Sequence, residues 1–385
     1  MIDKRISYMS KIVGIILSGA VAAYFFGPTV LAWYGESGGG TPIERIAQAK
    51  KAETFFDGKT IEIMVPFAQA GEMGEWAHKL ERHLRPTLSA KTKLAFKFVP
   101  GDGGIKGSNE YVTNRKPDGT YLLVTSGSVV LPWVLGQDGV KYDLRKMTPI
   151  VAETISAAFF TTPATGTDVA KWQASPKALM SSKSSVARGN IAKSLALNIL
   201  GLPVKYVAGN NDASLKSLLS GESNIAMISS GLYGDHVKKE VLAGRVLRAF
   251  ALDAVSVSGE FERAQAFSDL PTPSELSKAN NKGVEPSGPN WDAYKAVIAA
   301  EWTARRIIWV HGKAPNTAKI RLRTIFATVL NSSEAIADFG DQQAVSPFLF
   351  ARAAIQKIVF ETTKMDSSTK DWLKTFLRNQ REAKI

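Results

Sequence analysis

His78, His83, His236 and His311 are the side chains best suited to hold a metal or shuttle a proton, and their spacing suits neither task. His78 and His83 lie five apart and splay on a helix, whereas ligands on one helical face recur three or four apart. The chain has no cysteine, which removes thiolate nucleophiles, thiolate metal ligands, disulfides and a lipidated N-terminal cysteine. Ser229-Ser230-Gly231 lacks the leading glycine of a nucleophile elbow. The run GDGGIKGS, Gly101 to Ser108, places its lysine before the last glycine rather than after it, and Lys106 breaks the dinucleotide-binding pattern. The chain reads as a non-enzyme with no cofactor and no metal. The chemistry that remains is recognition by backbone N–H groups in turns rich in Gly and Ser, at residues 67–72, 101–105 and 126–128. Such turns, where they open helices, are suited to anions.

The elements that must carry these turns alternate short apolar runs with longer helical stretches, the pattern of βαβ units and a mostly parallel sheet. Strands are expected at Thr60 to Pro66, Leu94 to Pro100, Tyr121 to Thr125, Leu202 to Ala208, Asn224 to Ser229, Leu247 to Leu252 and Arg306 to Val310. Helices are expected from about Glu72 to Leu84, through Tyr111, from Ile191 to Leu200 and from Ala213 to Leu219, and the last hundred residues are helix-rich. In such a sheet, ligands sit outside the carboxyl ends of the strands, which is where the three turns fall.

At 385 residues, 45% hydrophobic and 22% charged, the chain is long enough and ordinary enough for two lobes with their own cores. Its formal charge of +13 calls for an acidic partner. The basic residues form no long run and no aromatic interleaving, which argues against nucleic acid. Lys370, Lys374, Arg378 and Arg381 share helical spacing and read as a solvated face. Residues 12–34 are uncharged and mostly apolar, and as a helix would span roughly 34 Å of bilayer. Lys4, Arg5 and Lys11 before them place the N-terminus in the cytoplasm and the globular part outside. The reading favours a retained single-pass anchor in the inner membrane over a signal peptide cleaved after Ala20-Val21-Ala22. Residues 35–56 form a linker and spacer.

Lys59-Thr60-Ile61 through Val65-Pro66-Phe67-Ala68, PGDGG at 100–104 and KPDG at 116–119 resemble the substrate-binding receptors of tripartite tricarboxylate transporters. The run DLRKMTPIV from Asp143, Leu218 to Glu222, Ala243 to Ala249 and Leu270 to Glu275 follow in the order of that family. The resemblance covers Phe56 to the C-terminus. It implies an α/β periplasmic-binding-protein type II fold with two lobes, residues 57–155 plus 255–385 and residues 156–254. It implies a small organic anion, a carboxylate, bound mainly through backbone N–H groups, with transporter membrane subunits as partners.

Carried over residue by residue, the implied ligand site comprises Ala70, Gly71 and Glu72; Gly101, Asp102, Gly103 and Gly104; Ser126, Gly127 and Ser128; Arg188; and Asn210 and Asn211. Glu72 stands where the family has glycine. It suits a helix N-terminus but repels a carboxylate by roughly 4 kcal/mol at about 4 Å in an effective dielectric near 20. Arg188 is a guanidinium able to grip a carboxylate with two bonds. Two functions are therefore expected: a membrane-anchored receptor for a small organic anion, or a binding-protein fold with a decayed site serving another membrane protein complex.

Overall fold

A computed structural model describes residues 52–174, 179–182, 191–202, 204–207, 214–339 and 347–382. Residues 12–34, Arg188, Asn210 and Asn211 lie outside the described residues. Among the described residues no helix is long and apolar enough to cross a membrane.

The first strand, β1 (Thr60–Val65), is followed by α1 (Glu72–Leu84), β2 (Lys93–Phe98), α2 (Ile105–Asn114), β3 (Tyr121–Ser126) and α3 (Gly127–Val134). The helix α1 forms where expected because its sequence is amphipathic: Trp76, Ala77, Leu80 and Leu84 turn inward, and Glu72 and Glu75 sit in the first turn. The chain then makes β4 (Met147–Glu153) and crosses to β5 (Ala157–Thr161), β6 (Leu179–Ser182), α4 (Ile191–Ile199), β7 (Val204–Val207), β8 (Ile225–Ser229) and β9 (Leu247–Ala251). A short hairpin of β10 (Asp253–Val255) and β11 (Phe261–Arg263) follows, then α5 (Pro289–Ile298) continuing into a wider π-helical turn, Ala299–Thr303. The chain returns through β12 (Arg306–His311), and β13 (Phe348–Leu349) and α6 (Ser367–Glu382) lie near its end.

Two mixed sheets result, in the orders β13-β4-β12-β3-β1-β2 and β7-β6-β8-β5-β9. In the first, β1 to β4 run one way, as the reading expected of a mostly parallel sheet. The returning strand β12 is inserted antiparallel between β3 and β4, so most neighbouring pairs there are antiparallel. In the second, β6 runs parallel to β7 and β8, and β5 lies antiparallel between β8 and β9. In the second sheet the antiparallel strand β5 enters directly from β4 of the first, with no crossover helix to bring it in parallel.

The apolar core is continuous across both sheets. Ile63, Val124 and Trp309 of the first share one cluster with Phe159 and Phe250 of the second, joined by Leu195 and Ala196 of α4 and by Tyr294 and Val297 of α5. Each fully buried Val, Ile, Leu or Phe of this set contributes about 1.5–3 kcal/mol. Phe56, at the end of the expected spacer, is buried in the same cluster. The helix α5 packs against both α4 and α6, so it ties the second sheet's flank to the C-terminal part of the chain. On α6, Leu373 is buried, while Lys374 and Arg378 face solvent.

Candidate functional site

The strands β3, β1 and β2 are adjacent and parallel, so their three following turns emerge along one sheet edge. The turn 101–104 needs its glycines. Gly101, Gly103 and Gly104 have φ of 141, 73 and 101°, and Asp102 is itself at 45°. Only glycine takes such angles without strain, and Asp is among the few other residues that tolerate the left-handed region. Gly104 is buried against Phe67 and Val129, which knits the turns after β1 and β3 to this one. Ser128 Oγ donates to the Gly103 carbonyl at 2.8 Å and lies 2.9 Å from Ser126 Oγ. The structure thus brings residues 101–104 and 126–128 together. Ser126 stands at the N-cap of α3 without a capping bond from its side chain.

Ala70, Gly71 and Glu72 are exposed at the start of α1. The Glu72 carboxylate reaches back over the sheet edge, where its Oε1 accepts from Arg305 at 2.7 Å and also from Arg306. Arg306 opens β12 between Ser126 of β3 and Glu153 of β4, is 5% exposed, and pairs with the equally buried Glu153. Burial alone would lower the Arg306 pKa, but Glu153 and Glu72 outweigh it and raise the pKa. The guanidinium carbons of Arg305 and Arg306 lie over the rings of Trp302 and Trp76 at 5.2 and 5.7 Å.

Above this edge sits the π-helical turn Ala299–Thr303. It is laced to both connections between the sheets, with Ile155 N–H donating to the Trp302 carbonyl at 2.9 Å and Val255 N–H donating to Thr303 Oγ1 at 3.0 Å. Gly127 packs on it so closely that a Cβ there would stand 2.5 Å from Glu301 Cγ, which is why no larger residue fits. The Glu301 carboxylate is buried, and the backbone N–H of Ala192, in the first turn of α4, favours its charged form. Its Oε2 has no hydrogen-bond partner among the described residues. Burial pushes its pKa up to about 7, against the opposing pull of the Arg305 charge and the Ala192 N–H.

Arg305, Arg306, Glu153 and Glu301 were not among the residues singled out in the sequence. The one signal for Arg305 and Arg306 was a charged pair opening an apolar strand, and for Glu301 a lone acid in the apolar run AVIAAEWTA. Among the described residues no group of three or more His, Asp or Glu could hold a metal ion. A cavity of about 390 Å³ lies away from the glycine turns, bounded by both inter-sheet connections at Ser156 and Val255 and by β11 and β13.

No family model matches the chain, and no curated protein does. Solved structures do. A TctC solute-binding protein from Polaromonas, solved without ligand, matches 83% of this chain and 98% of its own with a TM-score of 0.57 and 15% identity. The protein Rpa4515 of R. palustris, solved with adipate, matches 84% of this chain and 97% of its own with a TM-score of 0.51 and 15% identity. The chain has the α/β periplasmic-binding-protein fold that these two solute-binding proteins share.

Proposed function

We propose that this chain is an extracytoplasmic solute-binding receptor of the tripartite tricarboxylate transporter type, held in the inner membrane by residues 12–34, that captures a small organic anion for membrane permease subunits. The two sheets form the centres of its two lobes, residues 57–155 plus 255–385 and residues 156–254. The observation that carries this reading is the gathering of the turns after β1, β2 and β3 beside Arg305 and Arg306, in a fold shared with a protein solved with adipate. Backbone N–H groups in the turns orient a carboxylate, and the arginines supply its counter-charge. Arg188, Asn210 and Asn211 are the further ligand groups of this proposal.

A second reading has a specific observation in its favour. Glu72 already engages both arginines. A site satisfied from within suits an accessory subunit of a membrane complex that needs no solute. The two readings part in a thermal-shift panel on the full chain in detergent, using dicarboxylates, tricarboxylates, aromatic acids and acidic amino acids. Ligand at a hundred times its Kd adds about 2.7 kcal/mol to the native state, so a receptor shows a clear upward shift with one narrow class. A flat response across the panel favours the accessory subunit.

A further inference from the structure

The edge of the first sheet opposite the glycine turns carries an excess of positive charge. There β1 to β4 begin and the antiparallel β12 ends, as the pairing of Thr60 with Lys93, Glu62 with Tyr121 and Met147 with His311 shows. Lys59 precedes β1, Lys91 and Lys93 stand at the start of β2, and Lys116 lies in the turn leading to β3; all four are exposed. Arg145 and Lys146 are exposed before β4 and Lys313 after β12, where the Gly312 N–H donates to the Lys146 carbonyl at 2.9 Å. The acids there are Glu53, Asp57, Asp118 and Asp143, so bases are in clear excess. The last three acids accept hydrogen bonds from Ser89, Thr120 and Arg145. At the turn edge, by contrast, Glu72, Asp102 and Glu153 stand against Lys106, Arg305 and Arg306. The surplus acts within the fold as well: burial, and then the charges of Lys313 and Lys319, hold the His311 imidazole below its ordinary range.

The first described residues lie at this same edge. Phe56 is buried in the core, and its carbonyl accepts from the Lys59 N–H and from Thr92 Oγ1, each at 3.0 Å. The Lys59 ammonium lies 3.7 Å from the centre of the Phe55 ring. Residues 35–51, which lead here from residues 12–34, reach about 60 Å at most. An anchor at 12–34 therefore keeps the basic edge near a bilayer, and basic residues beside an anchor are drawn to anionic headgroups. We propose that this edge is a docking surface for anionic phospholipid headgroups. It seats the first sheet on the membrane with the glycine turns about 20 Å further out, at the far ends of six-residue strands. The nearness of the bilayer rests on the anchor of the receptor reading, whereas the charge of the edge does not.

The chain has no cysteine, so a single fluorophore can be placed by Asn114→Cys, exposed two residues before Lys116, or by Ala70→Cys, exposed at the turn edge. The full chain is reconstituted in nanodiscs of phosphatidylcholine, alone or mixed in equal parts with phosphatidylglycerol, and quenching by a headgroup nitroxide is read. Quenching at 114 should rise with phosphatidylglycerol and fall back in about 1 M salt, where the Debye length is about 3 Å. Lys91→Gln, Lys93→Gln, Lys116→Gln and Lys313→Gln together should also remove the rise, since each lysine near an anionic surface is worth about fivefold in occupancy. Quenching at 70 should stay low throughout. Quenching at 114 that ignores salt, that persists in the fourfold variant with unchanged circular dichroism, or that is matched at 70 would each overturn the proposal. Independence from phosphatidylglycerol would overturn it in favour of an acidic protein surface. Solute plays no part in this measurement, so a chain that binds no solute still docks if the proposal holds. A chain found cleaved near Ala22 overturns the anchor alone. Its edge is then read by sedimentation, and it should pellet with phosphatidylglycerol vesicles but not with phosphatidylcholine ones, whereas pelleting with neither overturns the docking surface.

Discussion

Replacing Glu301 by Gln should make the protein more stable at high pH and change little at low pH. Burial raises the Glu301 pKa from an ordinary 4.5 to about 7 in the folded state. The folded protein therefore holds this proton more tightly than the unfolded chain does, and stability falls as pH rises between those two values. At 1.36 kcal/mol per unit, the full effect is roughly 3 kcal/mol, of which about 2.5 kcal/mol is lost between pH 5 and pH 8. With roughly 2.1 cal/mol/K per residue over roughly 330 folded residues, the unfolding entropy is about 0.7 kcal/mol/K, and the loss corresponds to about 3–4 °C in Tm. Scanning calorimetry of the wild type and Glu301→Gln at both pH values isolates this group, because every other titration cancels in the difference. The gap between the two proteins should widen by about 3–4 °C in favour of Gln from pH 5 to pH 8. Parallel pH profiles would refute a buried, proton-holding Glu301.

Glu72→Gly should raise the affinity for small carboxylates. The like-charge repulsion is screened because the Glu72 side chain is 61% exposed, which leaves about a tenfold gain readable by titration calorimetry. Arg306→Met leaves Glu153 buried and unpaired, so urea unfolding should show a loss of about 3–5 kcal/mol, most of it recovered when Glu153→Gln is added. Membranes washed with carbonate should retain the full-length chain. An intact mass beginning at Ala23 or Tyr24 would instead mean that the N-terminal segment is cleaved.

Local pattern made the first third of the fold legible. The amphipathic run from Glu72 to Leu84 and the apolar strand Thr60–Val65 form as their periodicity demands, and the PGDGG turn adopts the positive φ angles that its glycines permit. The strands β4 and β5 escaped, because Met147–Glu153 and Ala157–Thr161 are buried throughout and show no alternation to mark them. The central place of β12 was illegible for a different reason: strand order is decided by pairing between distant segments, which no local window contains. The site divides the same way. The glycine turns could be read from their residues, but Glu72 meets Arg306 across 234 positions and Gly127 packs on Glu301 from far along the chain. Those contacts exist only once the chain has closed its core.

Direct titration of the full chain in detergent with the anion class selected by thermal shift tests the receptor claim most directly, with Gly103→Asp run beside the wild type. The turn at Gly103 has φ of 73° and its carbonyl accepts from Ser128, so an aspartate there strains the turn and adds a negative charge beside the bound carboxylate. The receptor account predicts saturable one-to-one binding that Gly103→Asp abolishes while the variant's far-UV circular dichroism stays that of the wild type. Binding that persists undiminished in Gly103→Asp, or no binding of any anion by the wild type or by Glu72→Gly, would contradict it.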